Sequence, residues 1–215
     1  MPRPPRICFD GALYHVTCRG DNRERVFVDE ADFQRYLLFL RQYKGQFKFL
    51  LHCYCLMPNH VHLVIEPSAT ATISKIMQCV STRYTQYFNK RHGRVGHLFQ
   101  GRFHSRLIEK DTYLLAVSRY IHLNPVKAKL CGKPQEYPWS SYAIYLEKRG
   151  DVLHLVDSSL VFSLINVPQG EHARWYREFV ESSLIPDAAW DATLHPRGRP
   201  KRTKKVPDTF YAKSV

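Results

Sequence analysis

The sequence predicts an α+β fold: a ferredoxin-like antiparallel sheet in βαββαβ order, with one added helix and a helical C-terminal extension. Three observations carry that prediction. Four runs rich in β-branched and aromatic residues alternate with two long stretches of helical periodicity, in the order of the split βαβ motif. Gly, Pro and Asn punctuate the joints between them. A chain of 215 residues, 44% of them AVILMFWYC and 24% charged, also suffices for a self-supporting core.

Each element follows from its local pattern. Residues 1–6, with three Pro and two Arg, read as an extended basic arm. Leu13–Arg19 is a β-rich run closed by Gly20, Asp21 and Asn22. Asp29 is placed to cap a helix whose Phe33, Tyr36, Leu37 and Leu40 share one face, with Gly45 as its stop. Residues 47–56 form a strand candidate, Pro58 and Asn59 a turn, and His60–Glu66 a strand that this topology places inside the sheet. Ile73, Ile76, Met77, Val80, Tyr84 and Tyr87 mark a second amphipathic helix ending at Gly93. A Gly- and Arg-rich loop leads to a strand at 105–108, and Asp111 is placed to cap a third helix running toward Asn124 and Pro125. Beyond Trp139, residues 157–165 and 171–180 read as helical. The expected division is a main domain over 1–146, a helical extension over 147–186 and a flexible basic tail over 187–215.

Composition narrows the function. Thirty-two Lys and Arg against nineteen Asp and Glu give a net charge of +13, which calls for a polyanionic partner. No basic amphipathic helix with an apolar insertion face stands out, so nucleic acid is favoured over a membrane surface. No apolar run approaches the roughly 20 residues of a bilayer span. The N-terminus has no continuous apolar signal region, so a cytoplasmic, nucleoid-associated protein is expected. The six cysteines (Cys8, Cys18, Cys53, Cys55, Cys79, Cys131) contain no CxxC and read as free, mostly buried thiols; a structural zinc is not expected. No Gly-rich stretch fits a P-loop, so no ATP site is expected.

Two segments carry chemistry. In MPNHVHLVIEP, the strand period of two puts His60 and His62 on one face and Val61, Leu63 and Ile65 on the other. Such a pair fits either a divalent-metal site or two half-buried histidines hydrogen-bonded within a sheet. In RYIHLNPVKA, Tyr120 and Asn124 share a helix face with Tyr113 and Ala116, beside a core stripe of Leu114, Val117 and Ile121. Tyr120 reads as a nucleophile and Asn124 as an amide-oxygen ligand. Alternatively, Asn124 and Pro125 are the N-cap and first residue of a new helix. The loop before this helix interleaves basic and aromatic groups: Arg94, His97, Phe99, Gln100, Arg102, His104 and Arg106 suit a surface that tracks and stacks on single strands. In the tail, Arg197-Gly198-Arg199-Pro200 resembles an AT-hook core, within a stretch (196–205) that holds six Lys or Arg in ten residues.

MPNHVHLV and RYIHLNPV, with YHVTCRG near the start, QGRF before the third helix and WSSY after it, resemble the REP-associated tyrosine transposases, within the HUH (histidine–hydrophobe–histidine) superfamily of single-stranded-DNA transposases. The resemblance spans roughly residues 13–142. It implies a ferredoxin-like sheet carrying His60 and His62, with Tyr120 as nucleophile on an adjacent helix. It also implies Asn124 as the third ligand of a divalent metal, Mg²⁺ or Mn²⁺, where insertion-sequence relatives carry Gln. The implied activity is a metal-dependent endonuclease and strand transferase that cleaves near hairpin DNA through a 5′-phosphotyrosine, in a monomer rather than a dimer sharing tyrosine helices. A catalytically inactive hairpin-DNA-binding regulator is the alternative. A small metallohydrolase using His60 and His62 alone leaves the charge unexplained.

Overall fold

The alternation along Leu13–Arg19 and His60–Glu66 places these segments side by side in the centre of one sheet. The computed structural model describes residues 11–108 and 111–182. Strands β1 (Leu13–Arg19), β2 (Leu50–Met57), β3 (His60–Glu66) and β4 (His104–Ile108) are antiparallel in the order β2-β3-β1-β4, so β3 is interior as expected. Their apolar positions, including Tyr14, Val16, Cys18, Val61, Leu63 and Ile65, form one core with helices α1 (Glu30–Phe47) and α2 (Ile73–His92).

The two helices are tied end to end as well as face to face. The Asp29 side chain accepts the Asp32 N–H and caps α1. Arg91 and His92, in the last turn of α2, hydrogen-bond the carboxylate of fully buried Asp32, and Arg91 also pairs with Asp29 at 2.7 Å. Acidic groups at one helix start thus meet basic groups at the other's end, each suited to its helix dipole.

Several boundaries differ from the sequence reading. Gly45 does not stop α1, which continues to Phe47 and ends on Lys48 in the left-handed conformation (φ 53°). Phe47 extends the apolar stripe: it is buried and stacks on Tyr43 with centroids 5.7 Å apart. The strand expected from residue 47 accordingly starts at Leu50 and runs on to Met57. Strand β4 begins at His104, and the third helix, α3 (Asp111–Lys127), starts at Asp111 itself.

Helix α3 lies on the opposite face of the sheet, against β2, β3 and β4, with Leu114, Val117 and Ile121 buried as the stripe predicts. It runs on through Pro125, which settles the open alternative: Asn124 is helical and caps nothing. The segment after α3 shields the edge of β2. Leu56 N–H donates to Trp139 C=O, Ser141 N–H to Tyr54 C=O, and Asp157 N–H to Leu51 C=O. Beyond Trp139 come three short helices, α4 (Tyr142–Tyr145) still within the expected main domain, and α5 (Ser159–Ser163) and α6 (His172–Glu181) within the extension, of which α6 packs on α3.

Buried polar groups lock α3 in place. Ser118 donates to Leu115 C=O and Tyr176 OH donates to Ser118 Oγ, so His122 Nδ1–H must donate to Tyr176 OH at 2.9 Å. His122 Nε2 is then the acceptor for Ser141 Oγ–H at 2.8 Å, and Ser141 Oγ in turn accepts the Tyr54 N–H. Burial lowers the His122 imidazole to about 3, which keeps it in this single neutral form. The chain of bonds joins α3, α6, the Trp139–Tyr142 segment and β2. Among the described residues, Cys18, Cys53 and Cys55 are buried free thiols, and no helix is long and apolar enough to cross a membrane.

Candidate active site

The sheet face beneath α3 carries the polar half of each alternating strand. Thr17 is opposite both His62 and His104; Arg19 is opposite His60; His15 is opposite Val64 and Arg106. Direct cross-strand partners share a face, so His15, Thr17, Arg19, His60, His62, His104 and Arg106 are on one side of the sheet. On that side Cys53 and Cys55 of β2 also point to one face, as small buried residues beside Val64 and His62.

His60 is oriented by a chain of contacts that begins at a glycine. A Cβ on Gly20 would come within 2.2 Å of the Glu24 carbonyl oxygen, so only glycine admits the tight turn after β1. That turn holds Asn22 and Arg23 in left-handed conformations and presents the Arg23 carbonyl to Asn59 Nδ2 at 3.2 Å. The Asn59 amide is thereby oriented with Oδ1 toward His60, and it accepts the His60 Nδ1–H at 2.6 Å. The His60 lone pair is consequently on Nε2. Burial, aided by the Arg19 guanidinium, lowers this imidazole to about 4.

His62 stands with its ring perpendicular to that of His60, centroids 4.9 Å apart. Its Nδ1 faces His15 Nε2 at 3.0 Å and Thr17 Oγ1 at 3.4 Å. Tyr120, only 7% exposed, brings its ring edge-on to both, 5.7 Å from His62 and 6.2 Å from His15. One turn further along α3, Asn124 Nδ2 donates to the Tyr120 carbonyl at 3.1 Å, which leaves Oδ1 as its acceptor atom. Two turns along, the Lys127 ammonium sits 5.5 Å from the Tyr120 ring centroid. Tyr120, Asn124 and Lys127 thus form one stripe of α3, and its tyrosine meets histidines of the same chain.

The expected DNA-contacting residues divide. His97, Gln100, Arg102, His104 and Arg106 are exposed, the last two on the site face of β4. His97 lines a groove of about 400 Å³ against Ser81, Thr82 and Thr85 of α2. Arg94 is held by Glu24 at 3.0 Å and lies over the Phe88 ring. Phe99 departs from the expectation of an exposed stacking ring: it is 6% exposed, packs near Tyr84 in the core and borders the groove lined by His97. Arg197 and Arg199 lie outside the described residues.

Sequence reasoning missed His15, Thr17, Arg19, Asn59 and Lys127. The signal for the first three was present: Leu13, His15, Thr17 and Arg19 alternate with Tyr14, Val16 and Cys18, which makes β1 a second polar-faced strand.

One strand thus presents paired imidazoles, and the helix laid across it presents a tyrosine. The chain matches the family described as Transposase IS200 like over residues 8–124, more than half its length, and belongs to that family. Among solved structures it is similar to a REP-associated tyrosine transposase bound to a REP hairpin, with 19% identity and a TM-score of 0.59, covering 71% of this chain and 93% of that one. It is also similar to a candidate transposase from Deinococcus radiodurans R1, with 18% identity and a TM-score of 0.40, covering 56% of this chain and 95% of the other. Among curated proteins none matches the chain. The fold expected from the motifs holds, and the family shown is that of the IS200-like transposases.

Proposed function

We propose that this protein is a metal-dependent single-stranded-DNA endonuclease and strand transferase that cuts beside hairpin DNA through a 5′-phosphotyrosine on Tyr120. The observation that carries the reading is the edge-on placement of Tyr120 against His62, with His60 beside it, all within one chain. That arrangement supports a monomeric enzyme, since no partner need lend the tyrosine.

The donor set fits a Mg²⁺ or Mn²⁺ ion. His60 has Nδ1 committed to Asn59 and Asn124 has Nδ2 committed to a carbonyl, so His60 Nε2 and Asn124 Oδ1 are the atoms with lone pairs to give. His62 adds a second imidazole. Nitrogen and oxygen donors without thiolate suit these ions. A bound ion would neutralise charge building on the phosphate oxygens.

The residues of the chain do the rest. Tyr120 Oη attacks phosphorus as its proton leaves, a Tyr–O–P bond forms, the P–O3′ bond breaks, and the 3′ oxygen leaves as a hydroxyl. The phosphodiester energy is conserved, so attack by a 3′-OH reverses the step and joins strands. Arg19 and Arg106 lie on the same sheet face as the histidines and Lys127 lies over the Tyr120 ring, positive charge suited to the DNA backbone.

The test is a denaturing gel of end-labelled hairpin-bearing single strands with Mn²⁺, Mg²⁺ or EDTA. Wild type should give a metal-dependent covalent adduct. Tyr120→Phe should lose it by roughly 10³-fold or more while still binding the hairpin. Tight hairpin binding with no adduct in wild type would instead favour a binding-only regulator.

A further inference from the structure

His62 meets a third histidine to which the chemistry above gives no task. His15 and His62 are 7% and 3% exposed, and the His15 Nε2 to His62 Nδ1 distance is 3.0 Å. Their ring centroids are 5.2 Å apart with planes inclined by only 24°. That separation is the one two imidazoles have when their nitrogens point at each other along a line, so the contact is an N–H···N hydrogen bond and not a face-to-face stack. Two rings binding a single ion through these atoms would instead turn their lone pairs toward a common third point.

An N–H···N bond holds one proton, so one ring donates and the other accepts. If His15 donates, the proton of His62 is on Nε2 and that nitrogen has no lone pair for a ligand. If His62 donates, its Nε2 carries the lone pair. The neighbouring ring is already set in the second way, because Asn59 Oδ1 can only accept and takes the His60 Nδ1–H. Thr17 Oγ1, 3.4 Å from His62 Nδ1, offers a further acceptor on the same side.

We infer that His15 accepts the Nδ1–H of His62 and so holds His62 in the tautomer whose Nε2 is a donor to the catalytic centre. His15 is a positioning residue, serving His62 as Asn59 serves His60. Its place under the Tyr120 ring edge, 6.2 Å between centroids, fixes the spacing of tyrosine and histidine as well. The purpose of this tautomer rests on the metal-dependent reading above; the tautomer itself belongs to the metal-free protein.

Two measurements separate the inference from that reading. Long-range ¹⁵N NMR of the histidine rings in metal-free wild type should find the His62 proton on Nδ1; a proton on Nε2 overturns the inference. Mn²⁺ titration followed by electron paramagnetic resonance should show affinity reduced about 10–100-fold in His15→Phe, which keeps a ring but has no acceptor. His15→Gln, whose Oε1 falls close to the place of Nε2, should regain most of it. Unchanged affinity in His15→Phe would mean that His15 only fills space, and equal loss in both variants would overturn the acceptor role. Wild type that binds no Mn²⁺ would sink the metal-dependent reading, and the NMR result would still decide the role of His15.

Discussion

Asn59 never touches a reacting atom, yet the orientation of His60 depends on its amide. Its Nδ2 is spent on the Arg23 carbonyl and its Oδ1 on His60. Asn59→Leu therefore removes the acceptor that fixes the ring, and Mn²⁺ affinity should fall by about 10–100-fold, measured by calorimetric titration. An unchanged affinity would show that strand geometry alone orients His60. At this scale residue type and spacing left the pair His60 and His62 open between a metal site and a hydrogen-bonded pair in a sheet, and the resemblance in the surrounding motifs singled them out together with Tyr120. His15 was marked only by the alternation that makes β1 polar on one face, because its partner His62 lies 47 residues away across the sheet. Phe99 misled for the opposite reason. Aromatics interleaved with arginines look alike whether they stack on bases or close the core, and the isolated bridge from Gly20 to Phe99 folds this one inward.

At the scale of elements, α3 is held at its tyrosine end by the sheet and along its buried flank by the Ser118–Tyr176–His122–Ser141 chain. The WSSY and IHLNP motifs thus acquire a physical account: Ser141 and His122 are each other's partners, and the Trp139 backbone covers the β2 edge. Ser141→Ala leaves the Tyr54 N–H without its side-chain acceptor and His122 Nε2 without a donor. It should cost roughly 1–3 kcal/mol, read from the urea midpoint. A midpoint within error of wild type would mean that α3 is held by apolar packing alone. The order of the main elements was readable from alternating periods of two and 3.6. The boundary of α1 was not, because a glycine reads as a stop wherever an apolar stripe continues past it, as Phe47 does here.

On the scale of the whole molecule, a charge of +13 on 215 residues should make the proposed affinity for single strands steeply salt-dependent. Arg102→Ala and Arg106→Ala should each lower the slope of log K against log salt by about 0.7, the value for one phosphate contact on a single strand. Deleting residues 196–205 should flatten it further, and an unchanged slope would remove the tail from the interface. The proposed reaction nevertheless turns on one bond, from Tyr120 Oη to phosphorus. After incubation of wild-type protein with Mn²⁺ and a hairpin-bearing single strand, protease digestion and mass spectrometry should find the 5′-phosphorylated oligonucleotide on the peptide that contains Tyr120. A covalent product carried by any other residue, or cleavage that persists in Tyr120→Phe, would contradict it.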